Sequence, residues 1–218
     1  MAKWEYGGAY KKYNLIEDEV FNINELGQVM VHDLTRGLPE FMKEADVLFV
    51  DPPWNKGNLS TFYTKADKDY RLESFEYFYT HLFSHIKEIH PKICFVEIGK
   101  QNLHTFIFEM KKIYKHVTFY NTTYYHQKDK LCYIVQGSDK RIKYDFDYMD
   151  EEDVIEWICC NIEYRCIGDL CMGRGLVGYN SYINNKKFVG TELNNKRLAV
   201  LVDNVYEHER EKNKDGSC

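Results

Sequence analysis

The sequence lacks any run of the roughly 20 apolar residues that a membrane-spanning helix requires. Its first residues, MAKWEY, contain no apolar segment, so we expect no secretory signal peptide. It also lacks a Cys-x-x-Cys pair, since its seven cysteines are scattered and several lie inside apolar runs. These absences predict a cytoplasmic protein with reduced, mostly buried thiols and no zinc site.

An excess of positive charge is absent as well. The formal net charge is −5, so binding of nucleic acid would require a local basic patch or a partner subunit. The 218 residues suffice for one sizeable α/β domain and scarcely for two, and no internal repeat or low-complexity linker divides them. We expect an N-terminal arm over residues 1–24, a single domain over residues 25–210 and a flexible tail over residues 211–218.

The apolar segments that are present predict strands alternating with helices. The predicted strands span residues 28–32, 47–50, 93–98, 117–125, 131–136, 165–170 and 187–191. The predicted helices span residues 34–42, 74–89, 103–114, 151–161, 176–183 and 195–209. This alternation predicts a Rossmann-like α/β fold with a mostly parallel, seven-stranded sheet covered on both faces. The fourth and fifth strands form one antiparallel hairpin around a short polar turn.

Residues 47–54 read VLFVDPPW and join a buried-type strand to an acid, two prolines and an indole. Pro52 and Pro53 end the strand and fix a rigid turn, which leaves Asp51 at the strand end where ligands bind in open α/β sheets. A carboxylate and a prolyl carbonyl can together accept both hydrogens of a planar amino group, and Trp54 offers a face for stacking. The set suits the exocyclic amine of a nucleobase. A purely structural turn is the alternative for the tetrapeptide alone.

A second motif, DLCMGRG at residues 169–175, follows a predicted strand and precedes a predicted helix. Gly173 and Gly175 permit a tight turn and the close approach of a ligand to the backbone. Glu192 ends the next strand, where an acid can bind both hydroxyls of a ribose. The motif lacks the third glycine of the dinucleotide fingerprint, and no Walker-type Gly-Lys-Ser/Thr follows it. Gly-x-Gly taken alone is more typical of an ordinary helix-start turn.

A third acid, Asp33, follows the first predicted strand. Asp33, Asp169 and Glu192 could therefore line one crevice, which would suit a ligand with hydroxyls, amino groups and a positive sulfonium. A bare triphosphate would require basic groups instead. Asp33 could equally cap the helix predicted from Leu34, and the two roles are compatible.

Together these motifs resemble those of the amino-group DNA methyltransferases that use S-adenosylmethionine. The catalytic motif of that family, Asp/Asn/Ser-Pro-Pro-aromatic, matches residues 51–54, and its cofactor motif, often Asp-Pro-Phe-x-Gly-Ser-Gly, corresponds to residues 169–175. The catalytic motif comes first, as in the circularly permuted β group, whose Phe-x-Gly-x-Glu matches residues 188–192. The resemblance extends over about residues 25–208 and implies the seven-stranded methyltransferase sheet. The chain departs from the family at Leu170, Cys171 and Arg174, and it has no room for a target-recognition insert.

The resemblance implies methyl transfer from S-adenosylmethionine to the amino group of adenine in DNA, with base flipping. Its implied catalytic residues are Asp51, Pro52, Pro53 and Trp54. Its implied cofactor-binding residues are Asp33, Asp169, Cys171, Met172, Gly173, Gly175 and Glu192. No metal is implied. The same chemistry on RNA adenine or DNA cytosine is an alternative, as is a weakly active subunit that needs a specificity partner, and the size of the chain is compatible with a homodimer.

Contacts with nucleic acid are predicted in three segments that mix basic and aromatic residues. Residues 55–70 are predicted as a mobile loop over the site, and residues 3–13 form a second candidate segment. The third combines Lys128 and Lys130, placed in the hairpin turn, with the basic residues of the segment 140–143. Each segment by itself is more typical of a solvated surface.

Overall fold

A computed structural model of the protein describes residue 6, residues 8–70 and residues 74–215. Its strands are β1 (Val20–Ile23), β2 (Gly27–Val31), β3 (Val47–Val50), β4 (Ile93–Ile98), β5 (His116–Tyr124), β6 (Gln127–Ser138), β7 (Cys166–Asp169) and β8 (Lys187–Glu192). Its α-helices are α1 (Lys56–Lys65), α2 (Phe75–Ile89), α3 (Leu103–Ile113), α4 (Glu151–Asn161), α5 (Leu176–Ile183) and α6 (Asn195–Asp215).

The strands form one sheet in the order β1-β2-β8-β7-β3-β4-β6-β5. Neighbours from β2 to β4 pair in parallel, whereas β1 and β6 run antiparallel to their neighbours. The chain leaves β7 towards β8 and leaves β3 towards β4, so adjacent strands have connections that diverge. Such a switch point opens a crevice at the carboxyl ends of the strands, where ligands bind in folds of this type.

The central strands are buried on both faces. Every residue of β3 and β4 is buried, which explains why these segments are apolar on both faces rather than alternating, with Glu97 as the one exception. Phe49 and Phe95 pack on one face of the sheet with ring centroids 6.3 Å apart, while Leu48 and Val96 belong to the core on the other face. A rigid centre of this kind holds the strand ends in fixed positions.

The predicted Rossmann-like α/β class is confirmed, but the described residues form a sheet of eight strands rather than seven. The additional strand, β1, has only Ile23 fully buried, so its apolar pattern was too short to indicate a strand. It forms a hairpin with β2, beginning with the pair Ile23 and Gly27.

Three other local predictions were wrong. The helix predicted over residues 34–42 is two 3-10 segments, Leu34–Arg36 and Glu40–Glu44, because Pro39 lies between them and disfavours helical backbone at the residue before it. The loop predicted over residues 55–70 contains α1, which is capped by the side chain of Asn55. The helix predicted to end at residue 209 continues to Asp215.

The hairpin turn is Tyr125–His126, so Lys128 and Lys130 lie in β6 and not in the turn as predicted. Both turn residues have positive φ, 58° and 52°, as two-residue hairpins with the right twist require. The backbone N–H of His126 donates to Asp150 over 2.7 Å. Because neither residue is a typical turn former, no local pattern indicated this tight turn.

Within the described residues, no helix is both long and apolar enough to cross a membrane. The thiols of Cys94, Cys132, Cys159 and Cys166 are buried, as predicted, whereas Cys160 is exposed. Residues 3–5 of the predicted N-terminal basic segment and residues 216–218 of the predicted tail lie outside the described residues.

Candidate active site

A cavity of about 470 Å³ opens at the carboxyl ends of the central strands. The sheet order places the ends of β2, β8, β7 and β3 side by side, so residues that are distant in the chain meet there. Most of the predicted site residues line the cavity, namely Asp33, Asp51, Pro53, Asp169, Cys171, Met172, Gly173 and Glu192. The other predicted residues, Pro52, Trp54 and Gly175, are not among its lining residues.

The glycine motif forms a turn that is tied to the end of β8. Asp169 is 4% exposed and accepts a hydrogen bond from the backbone N–H of Cys171 over 2.9 Å. Gly173 has a φ of 55°, and its N–H donates to Oε2 of Glu192 over 2.6 Å. The second carboxylate oxygen of Glu192 accepts the N–H of Asn194 over 3.0 Å. The turn therefore presents backbone and a fixed carboxylate to the cavity.

Gly175 has a structural role in this turn. Its φ is 78°, and a Cβ at this position would lie 2.5 Å from Cβ of Leu201 in α6. Only glycine lets α5 begin this close to α6. Gly175 thus shapes the turn without facing the cavity.

Asp33 combines the two roles that the sequence allowed. Its Oδ1 accepts the N–H of Thr35 over 3.0 Å, which caps the 3-10 segment that follows. Its Oδ2 accepts the hydroxyl of Tyr63 over 2.7 Å, and the residue also lines the cavity. Since Tyr63 belongs to α1, this bond connects the helix after the Asp-Pro-Pro-Trp motif to the end of β2.

The Asp-Pro-Pro-Trp motif is held from both ends. Nε1–H of Trp54 donates to Oδ1 of Asp51 over 3.1 Å, and the carbonyl of Trp54 accepts Nδ2–H of Asn102 over 2.7 Å. The indole lies against Gly99, where a Cβ would come within 2.7 Å of the ring, and it meets Tyr124 edge-on with centroids 5.3 Å apart. One face of Trp54 is therefore covered by Gly99, and the stacking of a base on the indole stays a prediction.

Three further acids, Glu97, Glu151 and Glu152, line the cavity and were not predicted as site residues, and the first two of them are buried. Glu97 and Glu151 are 3% and 8% exposed. Glu151 is the first residue of α4, where Oε1 accepts the N–H of Tyr125 over 3.3 Å and Oε2 has no hydrogen-bond partner among the described residues. The sequence could have indicated Glu97, because it is the one acid in the otherwise apolar strand β4. It could not have indicated Glu151, which lies at the cavity only because of the tertiary fold.

Burial changes the protonation of these acids. It raises the pKa of Asp51 to about 6, although the hydrogen bond from Trp54 and the charge of Arg197 act in the opposite direction. It raises the pKa of Glu151 to about 8 and holds that of Glu97 well above its usual range, where the charges of Asp51 and Glu151 add to the effect. The Asp51 side chain is exposed to the cavity, where water can reach its carboxylate. Near neutral pH the wall therefore contains an ionised Asp51 and a largely protonated Glu151.

Solved structures share this architecture at low sequence identity. M1.HpyAVI in a complex with SAM aligns with a TM-score of 0.56 at 11% identity, covering 83% of this chain and 99% of that chain. TTHA0409 of Thermus thermophilus, provisionally named a DNA modification methylase and complexed with S-adenosyl-L-methionine, aligns with a TM-score of 0.58 at 11% identity, covering 82% and 93%. PvuII DNA methyltransferase, specific for cytosine N4, aligns with a TM-score of 0.50 at 11% identity, covering 84% and 92%.

The chain has a methyltransferase fold. No protein-family model and no curated protein matches its sequence. The likeness lies in the arrangement of strands and helices, and in this methyltransferase fold the strand that carries Asp51 precedes the strand of the glycine turn along the chain.

The methyltransferase fold separates the predicted basic segments. Lys130 lies beside the cavity, with Nζ 5.5 Å from the ring centroid of Tyr125, a residue that lines the cavity and is 64% exposed. Residues 140–143 follow Ser138, which pairs with the first residue of β4 and so lies at the opposite edge of the sheet. Lys12 and Lys68 are engaged in ion pairs with Asp203 and Glu17. The structure thus brings only part of the predicted basic surface to the cavity.

Proposed function

We propose that the protein transfers a methyl group from S-adenosylmethionine to the exocyclic amino group of adenine in DNA. The observation that carries this proposal is that Asp51 and the Gly173–Glu192 turn face one cavity at the adjacent ends of β3, β7 and β8. The fold supports it as well, since proteins with this architecture have been solved with S-adenosylmethionine, and PvuII is a DNA methyltransferase.

The residues present fit S-adenosylmethionine. Gly173 lines the cavity with a positive φ, and the three heavy atoms nearest to a Cβ there would all belong to the guanidinium of Arg197, at 3.7 to 3.9 Å. Glu192 is held by two backbone N–H groups at the end of β8, a position suited to accept ribose hydroxyls. The carboxylates of the wall complement the positive sulfonium and ammonium groups. Asp33, Asp169, Cys171 and Met172 complete the proposed binding surface, and Gly175 maintains the turn.

Asp51 would act on the target amino group. We propose that its carboxylate accepts one N–H and the carbonyl of Pro52 accepts the other, which localises the nitrogen lone pair and orients it. Bound S-adenosylmethionine supplies the methyl group, so that an N–C bond forms as an S–C bond breaks and a neutral thioether leaves. Asp51 stabilises the positive charge that develops on nitrogen, and with a pKa of about 6 it can accept the proton that nitrogen then loses. Trp54 fixes the carboxylate through its N–H, while Pro53 stiffens the turn.

The test is transfer of labelled methyl groups. The purified protein is incubated with S-adenosylmethionine labelled in the methyl group and with duplex DNA, single-stranded DNA or RNA, and the polymer is then digested to nucleosides. We expect the label in N6-methyldeoxyadenosine. Label in N4-methyldeoxycytidine, the position for which PvuII is specific, would identify cytosine and not adenine as the target base. Label recovered only from RNA would identify RNA and not DNA as the substrate.

Variants show whether the label depends on the proposed site. Asp51→Ala removes both side-chain acceptors, and we expect it to abolish transfer while S-adenosylmethionine still binds in calorimetry. Asp139→Ala is the matched control, because Asp139 is exposed and pairs with His90 away from the cavity. Full activity in Asp51→Ala would refute the catalytic role of Asp51.

A further inference from the structure

Arg197, in the first turn of α6, lies between an aromatic ring and the glycine turn. Its guanidinium carbon is 5.0 Å from the ring centroid of Phe62 in α1. A Cβ built on Gly173 would lie 3.7, 3.8 and 3.9 Å from Cζ, Nη2 and Nη1 of Arg197. The similar distances show that the guanidinium covers Gly173 with its plane, and the residue lines the cavity.

The guanidinium makes no ion pair at contact distance in the described part of the chain, and its Nε is buried there without a hydrogen-bond partner. Its charge favours the ionised forms of Asp51 and Glu192 from a longer distance. The hydrogen bonds of these two acids go to other donors: Glu192 accepts two backbone N–H groups, and Asp51 accepts the Nε1–H of Trp54. A partly buried guanidinium that no anion contacts is costly, which indicates an anion supplied from outside.

The other charges in the cavity narrow the choice of anion. The lining acids are Asp33, Asp51, Glu97, Glu151, Glu152, Asp169 and Glu192, whereas the lining arginines are Arg174 and Arg197. A phosphate would be repelled by this wall, but a zwitterion with one carboxylate and additional positive charge fits it. We infer that Arg197 binds the carboxylate of the amino-acid portion of S-adenosylmethionine, holding it over Gly173. The identity of that ligand rests on the proposed function.

This assignment makes Arg197 a binding residue that recognises the carboxylate of the ligand. A planar guanidinium can bind a carboxylate through two parallel hydrogen bonds. Phe62 supports the other face of the guanidinium, which reduces the freedom that the side chain loses on binding. Loss of the charge should therefore weaken only ligands that carry the carboxylate.

The experiment compares two ligands that both have an uncharged thioether sulfur and differ in the carboxylate. Calorimetry measures the binding of S-adenosylhomocysteine and of its decarboxylated analogue to the wild type, to Arg197→Gln and to Arg165→Gln. Arg165 is a matched control because its side chain is 89% exposed at the start of β7, away from the cavity. We expect Arg197→Gln to bind S-adenosylhomocysteine about 10- to 100-fold more weakly, as for loss of a charge-assisted pair, and to bind the analogue within about twofold of wild type.

Each other outcome has a defined meaning. Equal losses of affinity for both ligands in Arg197→Gln would show a structural role and overturn the inference. Arg197→Lys keeps the positive charge, so it should restore part of the preference for S-adenosylhomocysteine over the decarboxylated analogue. This second variant distinguishes loss of the charge from misfolding. Unchanged binding of both ligands with weaker binding of a DNA duplex would assign Arg197 to a phosphate and also overturn it. If the wild type bound neither thioether, the proposed function itself would fail. Wild-type binding without a preference for the carboxylate would refute the Arg197 inference alone.

Discussion

Nε1–H of Trp54 donates a hydrogen bond to Oδ1 of Asp51 over 3.1 Å. The bond joins the first and last residues of the Asp-Pro-Pro-Trp turn, and it opposes the rise in the pKa of Asp51 that burial causes. The indole is therefore suited to hold the carboxylate ionised and oriented, in addition to any contact it makes with a base. This dual position leads to a prediction about pH.

Trp54→Phe keeps an aromatic ring against Gly99 but removes the donor. In the proposed mechanism Asp51 must be ionised to accept the amino group, so we expect activity to fall as the pH falls through its pKa of about 6. Without the donor that pKa rises, and we expect the acid limb of kcat/KM to move upward by roughly one pH unit, since such a bond contributes about 1.5 kcal/mol. The pH–rate profile measures this shift. Trp157→Phe, a change in the core beside Phe146, should leave the midpoint in place, and an unmoved midpoint in Trp54→Phe would contradict the prediction.

Glu151 predicts a pH dependence of stability. Its pKa rises from about 4.5 to about 8 on folding, so between these values the unfolded chain releases a proton that the folded chain retains, and stability falls as the pH rises. Glu151→Gln keeps an acceptor for the N–H of Tyr125 and removes the titration. The full shift would correspond to roughly 5 kcal/mol, but the carboxyl lies in the wall of an open cavity, where water screens part of the effect. We therefore expect the variant to exceed the wild type by about 1–2 kcal/mol in free energy of unfolding at pH 8.5 and to match it near pH 4.5.

Urea denaturation at the two pH values tests the Glu151 prediction. Glu156→Gln is the control, because Glu156 is exposed on the same helix and should give the same difference at both values. A Glu151→Gln variant that was less stable than the wild type at pH 8.5 would show that the carboxyl makes a stabilising contact instead.

The sequence predicted those parts of the fold that local chemistry determines. Residues 93–98 read as a strand because both faces are buried, and Asp150 caps α4 as predicted because its side chain accepts the N–H of Glu152 two residues on. By contrast, α1 was read as a loop, since only Leu59 and Tyr63 are buried in a segment that is polar apart from these two residues and Phe62. That helix depends on tertiary packing, which a local pattern does not contain.

The residues of the candidate site also fall into those that the sequence predicted and those that it did not. Asp33, Asp51, Asp169 and Glu192 were predicted to meet because the ends of parallel strands meet at one edge of a sheet. Arg197, Glu97 and Glu151 reach the cavity from a helix, a strand interior and a helix start, and no short motif includes them. Their roles follow from burial and missing partners, which only a folded structure shows.

Tyr63 and Tyr70 form a natural pair for comparison. Their rings meet edge-on at 5.6 Å, but the Tyr63 hydroxyl donates to Asp33 over 2.7 Å whereas the Tyr70 hydroxyl is buried without a partner among the described residues. We expect Tyr63→Phe to lose about 1–2 kcal/mol of unfolding free energy because it leaves Asp33 short of a donor, and Tyr70→Phe to be neutral or more stable. Urea denaturation of both variants decides this, and equal losses would contradict it.

Lys128 and Lys130 predict a local contact with DNA phosphates. Both follow the hairpin tip at the cavity, while Lys140 and Lys143 lie at the opposite edge of the sheet. We expect a Lys128→Ala, Lys130→Ala double variant to bind duplex DNA more weakly and to reduce the slope of log affinity against log salt by up to about 2. Fluorescence anisotropy over a range of salt concentrations measures the slope. The double variant of Lys140 and Lys143 is the control, and equal effects of both pairs would argue against a local footprint.

Gly173 and Gly175 differ in what surrounds them, so the same substitution should separate binding from folding. An alanine at Gly175 would place its Cβ 2.5 Å from Leu201 with a φ of 78°, whereas one at Gly173 would have the guanidinium of Arg197 as its nearest neighbour, at 3.7 Å, with a φ of 55°. We expect Gly173→Ala to lose about 1–2 kcal/mol of stability from its left-handed backbone yet to lose most binding of S-adenosylmethionine, because the methyl group would fill the space between the turn and the guanidinium proposed to bind the ligand. Gly175→Ala should lose more stability than Gly173→Ala because overpacking adds to the strain. Thermal denaturation and calorimetry on both variants test the contrast: a Gly173→Ala protein that bound S-adenosylmethionine as the wild type does would show that the ligand does not lie against this turn.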